Sequence, residues 1–215
     1  MKPHVYQAAR AVGYVKPKFN TATQSFDSPS LVVEATGFWL GTEKGPVFIT
    51  CAHVVSGLLS GSIEQVGMLV VGGNGHPYQK ATVSVIDTWH DLAALQVPNV
   101  VPDTVISLLN RELMVGEKVA YSGFPLGDRL LVDSNHSPTY SEGLIASLDP
   151  INGSGPRHVR ISGAVVGGYS GSPVVLANDP TKLVGVVANG PQETQNIFHA
   201  VHWKHIEGLA TLMHS

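Results

Sequence analysis

The 215-residue sequence holds one cysteine. No internal disulfide can form, so the fold needs no oxidising compartment. Charge is sparse as well: Asp, Glu, Lys and Arg make up 13%, with a net charge of −3, where globular proteins usually carry about 25%. No broad basic footprint exists, and no nucleic-acid partner is expected. No run of 18 apolar residues occurs, so no membrane-spanning helix and no membrane partner are expected. The first ten residues lack the apolar core of a secretory signal. The expectation is a soluble, cytoplasmic protein acting where it is made. Neither a repeat of fixed period nor a low-complexity tract is present.

What is present is 43% hydrophobic residues, 23 Gly and 14 Pro. Short runs of Val, Ile, Phe and Thr alternate with Gly, Pro, Asn and Asp, which is the signature of strands in a sandwich or barrels. A first half holds Leu31–Leu40, Pro46–Thr50, Val66–Val71, Ala81–Asp87 and Ala93–Val97. A second holds Glu117–Gly123, Leu130–Val132, Glu142–Leu148, His158–Ile161, Pro173–Leu176, Lys182–Ala188 and Asn196–Val201. Gly72-Gly73-Asn74-Gly75 suits a tight hairpin. Part of Pro98–Gly116 reads as a linker between two barrels, and residues 1–30 as an N-terminal arm or pad. Two stretches look helical, Ala52–Leu59 and His202–His214; the second spaces Ile206, Leu209, Ala210 and Met213 along one face.

Three segments carry chemistry. In Phe48-Ile49-Thr50-Cys51-Ala52-His53 a β-run ends at a histidine. In His90-Asp91-Leu92-Ala93-Ala94-Leu95 an aspartate precedes an apolar run. In Gly167-Gly168-Tyr169-Ser170-Gly171-Ser172-Pro173 a serine stands between glycines. Acyl transfer by serine needs these three residue types. An imidazole takes the hydroxyl proton and returns it to the leaving group. A carboxylate behind the imidazole fixes its tautomer. Backbone amides around the serine, here those of Gly168 and Ser170, hold the oxyanion along a path that a Cβ would obstruct. Asp91 is preferred to Asp87 because Leu-Ala-Ala-Leu follows it. His90 points away from Asp91 if the segment is extended. Cys51 reads as a buried apolar side chain and not as a nucleophile. His199, His202 and His205 recur every three residues, but they divide between a strand and a helix, so no metal site is expected.

These contexts resemble the trypsin-like (chymotrypsin-fold) serine peptidases. Thr50-Cys51-Ala52-His53 is similar to the family's Thr-Ala-Ala-His, and Asp91-Leu92-Ala93-Ala94-Leu95 to its Asp-Ile-Ala-Leu-Leu. Gly168-Tyr169-Ser170-Gly171-Ser172-Pro173 is similar to Gly-Asp-Ser-Gly-Gly-Pro. Gly123-Phe124-Pro125-Leu126-Gly127, Glu142–Ser147 and Leu183–Val187 look most like the disulfide-free HtrA-type branch. The resemblance covers roughly residues 31–205. It implies an all-β chain of two packed six-stranded antiparallel β-barrels with a C-terminal α-helix. Residues 31–105 would form the first barrel and 106–215 the second barrel with the helix. His53, Asp91 and Ser170 would be the triad of a serine endopeptidase acting on protein or peptide substrates, with no metal or organic cofactor.

Departures from the family pattern bear on control. Tyr169 stands where secreted members carry the Asp that pairs with a freshly cut N-terminus, so that activation is not expected. Ser172 replaces the second Gly, and Ala188 replaces a Ser that often supports the triad carboxylate. Control by a PDZ-like domain is not expected; the segments Asp128–Pro138 and Asp149–Gly155 are the candidate loops for control by a partner. The resemblance places the S1 pocket at Gly163-Ala164-Val165, Ala188-Asn189-Gly190 and Asn196-Ile197-Phe198, with His199 at its border. Without an Asp at the base, and with Ala164 and Val165 in the wall, the expected P1 residues are small or aliphatic. Two other readings stand beside this one. An α/β-hydrolase elbow would need Gly at position 172, a Ser-before-His order and long helices. A trypsin-like fold can also serve as a latent or non-catalytic protein-binding module, a reading that a degraded triad would favour.

Overall fold

The computed structural model describes residues 2–20, 25–59, 68–127, 136–148, 158–189 and 196–213. Among these, α1 (His4–Ala8), β1 (Arg10–Asn20), β2 (Ser25–Thr42), β3 (Gly45–Thr50) and α2 (Ala52–Leu59) come first. Then follow β4 (Met68–Gly73), β5 (His76–Lys80), β6 (Thr82–Asp87), β7 (Leu92–Gln96) and β8 (Ile106–Leu108). The rest are β9 (Lys118–Gly123), β10 (Thr139–Ser147), β11 (His158–Ser162), β12 (Pro173–Leu176), β13 (Lys182–Asn189), β14 (Ile197–His202) and α3 (Trp203–Leu212).

The pairings close two rings. In the first, β1 pairs with β2, β2 with β3, β3 with β7 and β7 with β6. β6 continues β5 across Ala81, β5 pairs with β4, and β4 returns to β1. The Ala81 amide donates to Leu69 O at 2.9 Å, so pairing persists across that break. Counting β5 and β6 as one run, this is an antiparallel ring of six. The second ring runs β9, β10, β11, β14, β13, β12 and back to β9, all antiparallel. These are the two six-stranded barrels that the motifs implied. The short β8 pairs in parallel with both β2 and β13, and so joins the rings.

Two stretches expected to be an arm and, in part, a linker supply strands to the architecture. Residues 1–30, expected to be an arm, hold β1 and the first part of β2. Val12 and Tyr14 of β1 face the first barrel's core, while Ala9 and Ala11 pack with Val33 and Phe124 on the other face. The Lys16-Pro17-Lys18 stretch hides this strand, since Pro and Lys are depleted in strands. The expected linker 98–116 contains β8, whose Ile106 is fully buried between the barrels. β5 carries no strand signal in the sequence, because His76, Pro77, Gln79 and Lys80 make it too polar. The expected hairpin forms, with Asn74 and Gly75 both at positive φ. The expected strand Leu130–Val132 lies outside the described residues, as do most of Asp128–Pro138 and all of Asp149–Gly155.

Side-chain alternation explains why β3 and β7 read as unbroken apolar runs. Phe48, Ala93 and Leu95 fill the first barrel. Their neighbours Val47, Ile49, Leu92 and Ala94 face Val175, Leu183, Val186 and Ala188 of the second barrel. Both faces are dry, as in strands buried on two sides. Burying a side chain such as Ile49 stabilises by about 1.5–3 kcal/mol, so this seam holds the barrels together and places the ends of β3, β7 and β13 side by side. α3 buries Trp203, Ile206, Leu209 and Ala210 and packs across both barrels, on β6 and β7 as well as β13 and β14. Its N-cap is His202, whose Nδ1 accepts from the Lys204 amide at 3.2 Å. Among the described residues, no helix is long and apolar enough to cross a membrane.

Candidate active site

His53 sits in the first turn of α2, directly after β3. Asp91 ends the turn between β6 and β7 in a left-handed conformation, φ 55°, which Asp tolerates better than most residues. That conformation turns its carboxylate back on His53. The His53 amide donates to Asp91 Oδ1 at 2.9 Å, and His53 Nδ1 lies 2.7 Å from Asp91 Oδ2. The Ala52 amide also donates to the Asp91 carbonyl at 3.1 Å. One carboxylate thus orients the ring at Nδ1 and leaves Nε2 for another partner. Asp87, the competing carboxylate, makes a pair of its own: it accepts from the Trp89 and His90 amides at 3.1 Å and contacts His90 Nδ1. Burial pushes the Asp87 carboxyl up, but the hydrogen bonds from His90 outweigh it and hold the carboxyl below its usual value. Residues 88–91 form a turn, so the alternation argument for His90 does not apply. The His90 ring instead stacks on His205 with centroids 4.1 Å apart.

Ser170 lies in the loop between β11 and β12. Its Oγ donates to Ala188 O at 3.4 Å; no hydrogen bond joins it to His53 among the described residues. Ala188 is the extra residue of a bulge where β13 slips against β14 between Val187 and Asn189, and such a bulge re-aims a carbonyl. Around Ser170 the chain is tightly held. The Gly171 amide donates to Val187 O at 2.8 Å, and the Val187 amide to Ser172 O at 2.9 Å. Gly168 has φ +95°, and a Cβ there would stand 2.1 Å from Phe124 O, so this position admits only glycine. Gly167 meets no such obstacle. Neither the Gly168 nor the Ser170 N–H has a protein acceptor among the described residues, which leaves two backbone donors for an oxyanion.

The other singled-out residues fall as follows. Ala164 is exposed and Val165 half-buried, while Ala188 and Phe198 are buried. Ala164 O accepts from Tyr121 Oη at 2.8 Å, and Gly163 N donates to Asn196 O at 3.0 Å. The Asn189 backbone ends β13; Gly190 lies outside the described residues. Cys51 is fully buried, and its thiol donates to Val187 O at 3.1 Å. Burial first, and then the nearby Asp91, push that thiol well above its ordinary value, so it stays protonated and is a poor nucleophile. Cys51, His53 and Asp91 bring ligand atoms within 4.8 Å of one another, but the hydrogen bonds just described already engage them. His199, His202 and His205 do not converge: His199 lies beside His158, His202 caps α3, and His205 meets His90.

The trypsin-like peptidase domain family matches residues 35–186. The chain belongs to the trypsin-like peptidase family. The fold agrees. The active form of the Rv3671c protease from M. tuberculosis superposes with a TM-score of 0.69 at 19% identity, over 96% of this chain and 81% of that one. An inactive serine-to-alanine form of the same protease gives 0.66 at 18% identity, over 98% and 88%. Comparison with curated proteins returns no match. This trypsin-like peptidase is a serine endopeptidase with two departures at its nucleophile loop. Tyr169, which replaces an acidic residue of the family pattern, is buried; its hydroxyl lies 3.2 Å from Ser141 Oγ, and its ring meets Tyr121 edge-on at 5.8 Å. The loop is therefore anchored by packing where an ion pair would otherwise serve. Ser172 is fully buried, and its Oγ has no hydrogen-bond partner among the described residues. A buried hydroxyl without a partner costs stability. Ser172→Ala should therefore be more stable than wild type by about 1 kcal/mol, roughly 2–4 °C in Tm. A calorimetric Tm below that of wild type would show that Ser172 Oγ is satisfied in solution.

Proposed function

We propose that this peptidase cleaves protein or peptide substrates with Ser170 as nucleophile, His53 as general base and acid, and Asp91 as the group that orients His53. The observation that carries the reading is the grip of the Asp91 carboxylate on both the amide and Nδ1 of His53. Ser170 Oγ bonds to the scissile carbonyl carbon as its proton passes to His53 Nε2. The carbonyl oxygen becomes an oxyanion and accepts from the Gly168 and Ser170 amides, each such donor being worth about 10²–10³ in rate. The C–N bond then breaks as His53 returns the proton to the amine. Water, deprotonated by the same imidazole, hydrolyses the acyl-enzyme and restores Ser170. Ala164, Val165, Ala188, Asn189, Gly190 and Phe198 are the proposed walls of S1, and the small apolar ones favour small or aliphatic P1 residues.

The test is intact-mass spectrometry after incubation with a fluorophosphonate, followed by peptide mapping. One adduct, mapped to the peptide that contains Ser170, is the expected result. An adduct elsewhere would overturn the assignment, and a folded chain without an adduct would overturn the active reading. One observation favours a second reading, a latent site: Ser170 Oγ rests on Ala188 O and not on His53. Catalytic hydrogen bonds are often long or misaligned before substrate binds, so the active reading is preferred, and an unlabelled wild type would carry the latent one.

A further inference from the structure

We propose that Thr36, on β2 of the first barrel, is a positioning residue that sets the two oxyanion amides of the second barrel; the inference rests on the serine-peptidase reading above. Thr36 is fully buried, and its amide and hydroxyl reach across to the second barrel's nucleophile loop. Its amide donates to Ser170 O at 2.9 Å. Its Oγ1 donates to Gly168 O at 2.8 Å and accepts from the Phe124 amide at 3.0 Å. Its carbonyl accepts from Thr50 Oγ1 at 2.8 Å, and Thr50 is the last residue of the strand that leads to His53. One threonine thus touches the carbonyls of both proposed oxyanion residues, the 124–127 loop and the histidine strand. Thr36 approaches so closely that a Cβ on Gly171 would lie 2.0 Å from its carbonyl oxygen.

Peptide geometry supplies the reason. In a trans peptide the C=O and the following N–H point in opposite directions. The Leu126 amide holds Gly167 O at 2.5 Å, so the Gly168 N–H must point away from the 124–127 loop. That loop is itself a strained turn. Leu126 has φ +57° and Gly127 φ +50°, and a Cβ on Gly127 would meet Val33 O at 2.0 Å. The Thr36 hydroxyl ties the start of this loop to the nucleophile loop. Without it, Gly168 O and the Phe124 amide lose their bridge, and the Gly168–Tyr169 peptide, which leads from one proposed oxyanion residue to the other, loses its fixed plane.

The experiment compares Thr36→Val, Thr36→Ser and wild type by fluorophosphonate inactivation kinetics, separating the maximal rate from the half-saturating concentration. Valine keeps the branched shape that a strand favours and removes only the hydroxyl. Thr36→Val should lose about 10²-fold in maximal rate, the worth of one oxyanion donor, with half-saturation within about threefold; Thr36→Ser should recover most of the rate. If the valine variant does not fold, Thr36→Ala, which cannot overpack, takes its place. Amide hydrogen exchange of the peptide spanning 166–172 should quicken in Thr36→Val and stay near wild type in Thr36→Ser. A folded valine variant that reacts like wild type overturns the proposal. So does an equal loss in valine and serine variants, which would make the role one of packing. If wild type itself takes no label, the enzyme reading fails, and the exchange comparison alone decides whether the Thr36 hydroxyl orders the loop.

Discussion

Ser170→Ala should take up no fluorophosphonate and lose turnover by about 10⁶-fold, while its Tm stays within about 2 °C of wild type. The structural reason for the small thermal effect is the modest role of the hydroxyl in the fold. Ser170 Oγ makes one long bond, to Ala188 O. The loop is held by main-chain groups instead: Ser170 O to the Thr36 amide, the Gly171 amide to Val187 O, and Ser172 to Tyr169 O. Alanine disturbs none of these. The chemical reason for the large kinetic effect is that no neighbour can replace the nucleophile. The Cys51 thiol near His53 is fully buried and committed to Val187 O, and the Ser56 hydroxyl is spent on the His53 carbonyl at 2.8 Å. Intact mass and turnover of a casein substrate check both halves of the expectation. A variant that still cleaves casein would show that Ser170 is not the nucleophile; a variant that no longer folds would show that it is structural.

Asp91→Asn should lower kcat by about 10⁴-fold. Asp91 Oδ1 accepts from the His53 amide and Oδ2 pairs with Nδ1, so the carboxylate needs two acceptor oxygens. Asparagine has one. If its oxygen keeps the amide, its NH₂ must face Nδ1, which then accepts, and the proton moves to Nε2. An imidazole protonated at Nε2 cannot take the proton of Ser170. The backbone should be unharmed, since Asn also tolerates the positive φ that residue 91 adopts. Asp87→Asn is the matched control. It breaks the pair with His90 and weakens the turn between β6 and β7, so it should lower Tm while leaving the inactivation rate within a few-fold. Kinetics of the two variants side by side assign the orienting carboxylate. Equal losses, or a greater loss at Asp87, would sink the choice of Asp91.

The candidate site was legible in the sequence because each part of it is local. A serine between glycines, a histidine at the end of an apolar strand and an aspartate at the start of another are short-range signals. The strands around them alternate or are buried on both faces, and both patterns can be read from apolar spacing. The polar strands escaped for the same reason. β1 with Lys16-Pro17-Lys18 and β5 with His76 and Gln79 have little apolar pattern of their own, and the short β8 pairs only with strands far along the chain, β2 and β13. Tyr169 could be seen as a departure from the family pattern, but not as a ring seated against Tyr121.

What the sequence by itself determined is the order of residue types that an acyl transfer needs and the apolar periodicity that closes barrels. Only the tertiary structure decided which atoms meet. Thr36 carries no motif and lies 134 positions from Ser170, yet its hydroxyl and amide hold the carbonyls of Gly168 and Ser170. The bulge that turns the Ala188 carbonyl toward Ser170 and the choice of Asp91 over Asp87 as partner of His53 are settled in the same way. The physical reason is range: side-chain type and spacing act over a few residues, whereas a hydrogen bond across a barrel seam exists only once both barrels have closed and their dry faces have met.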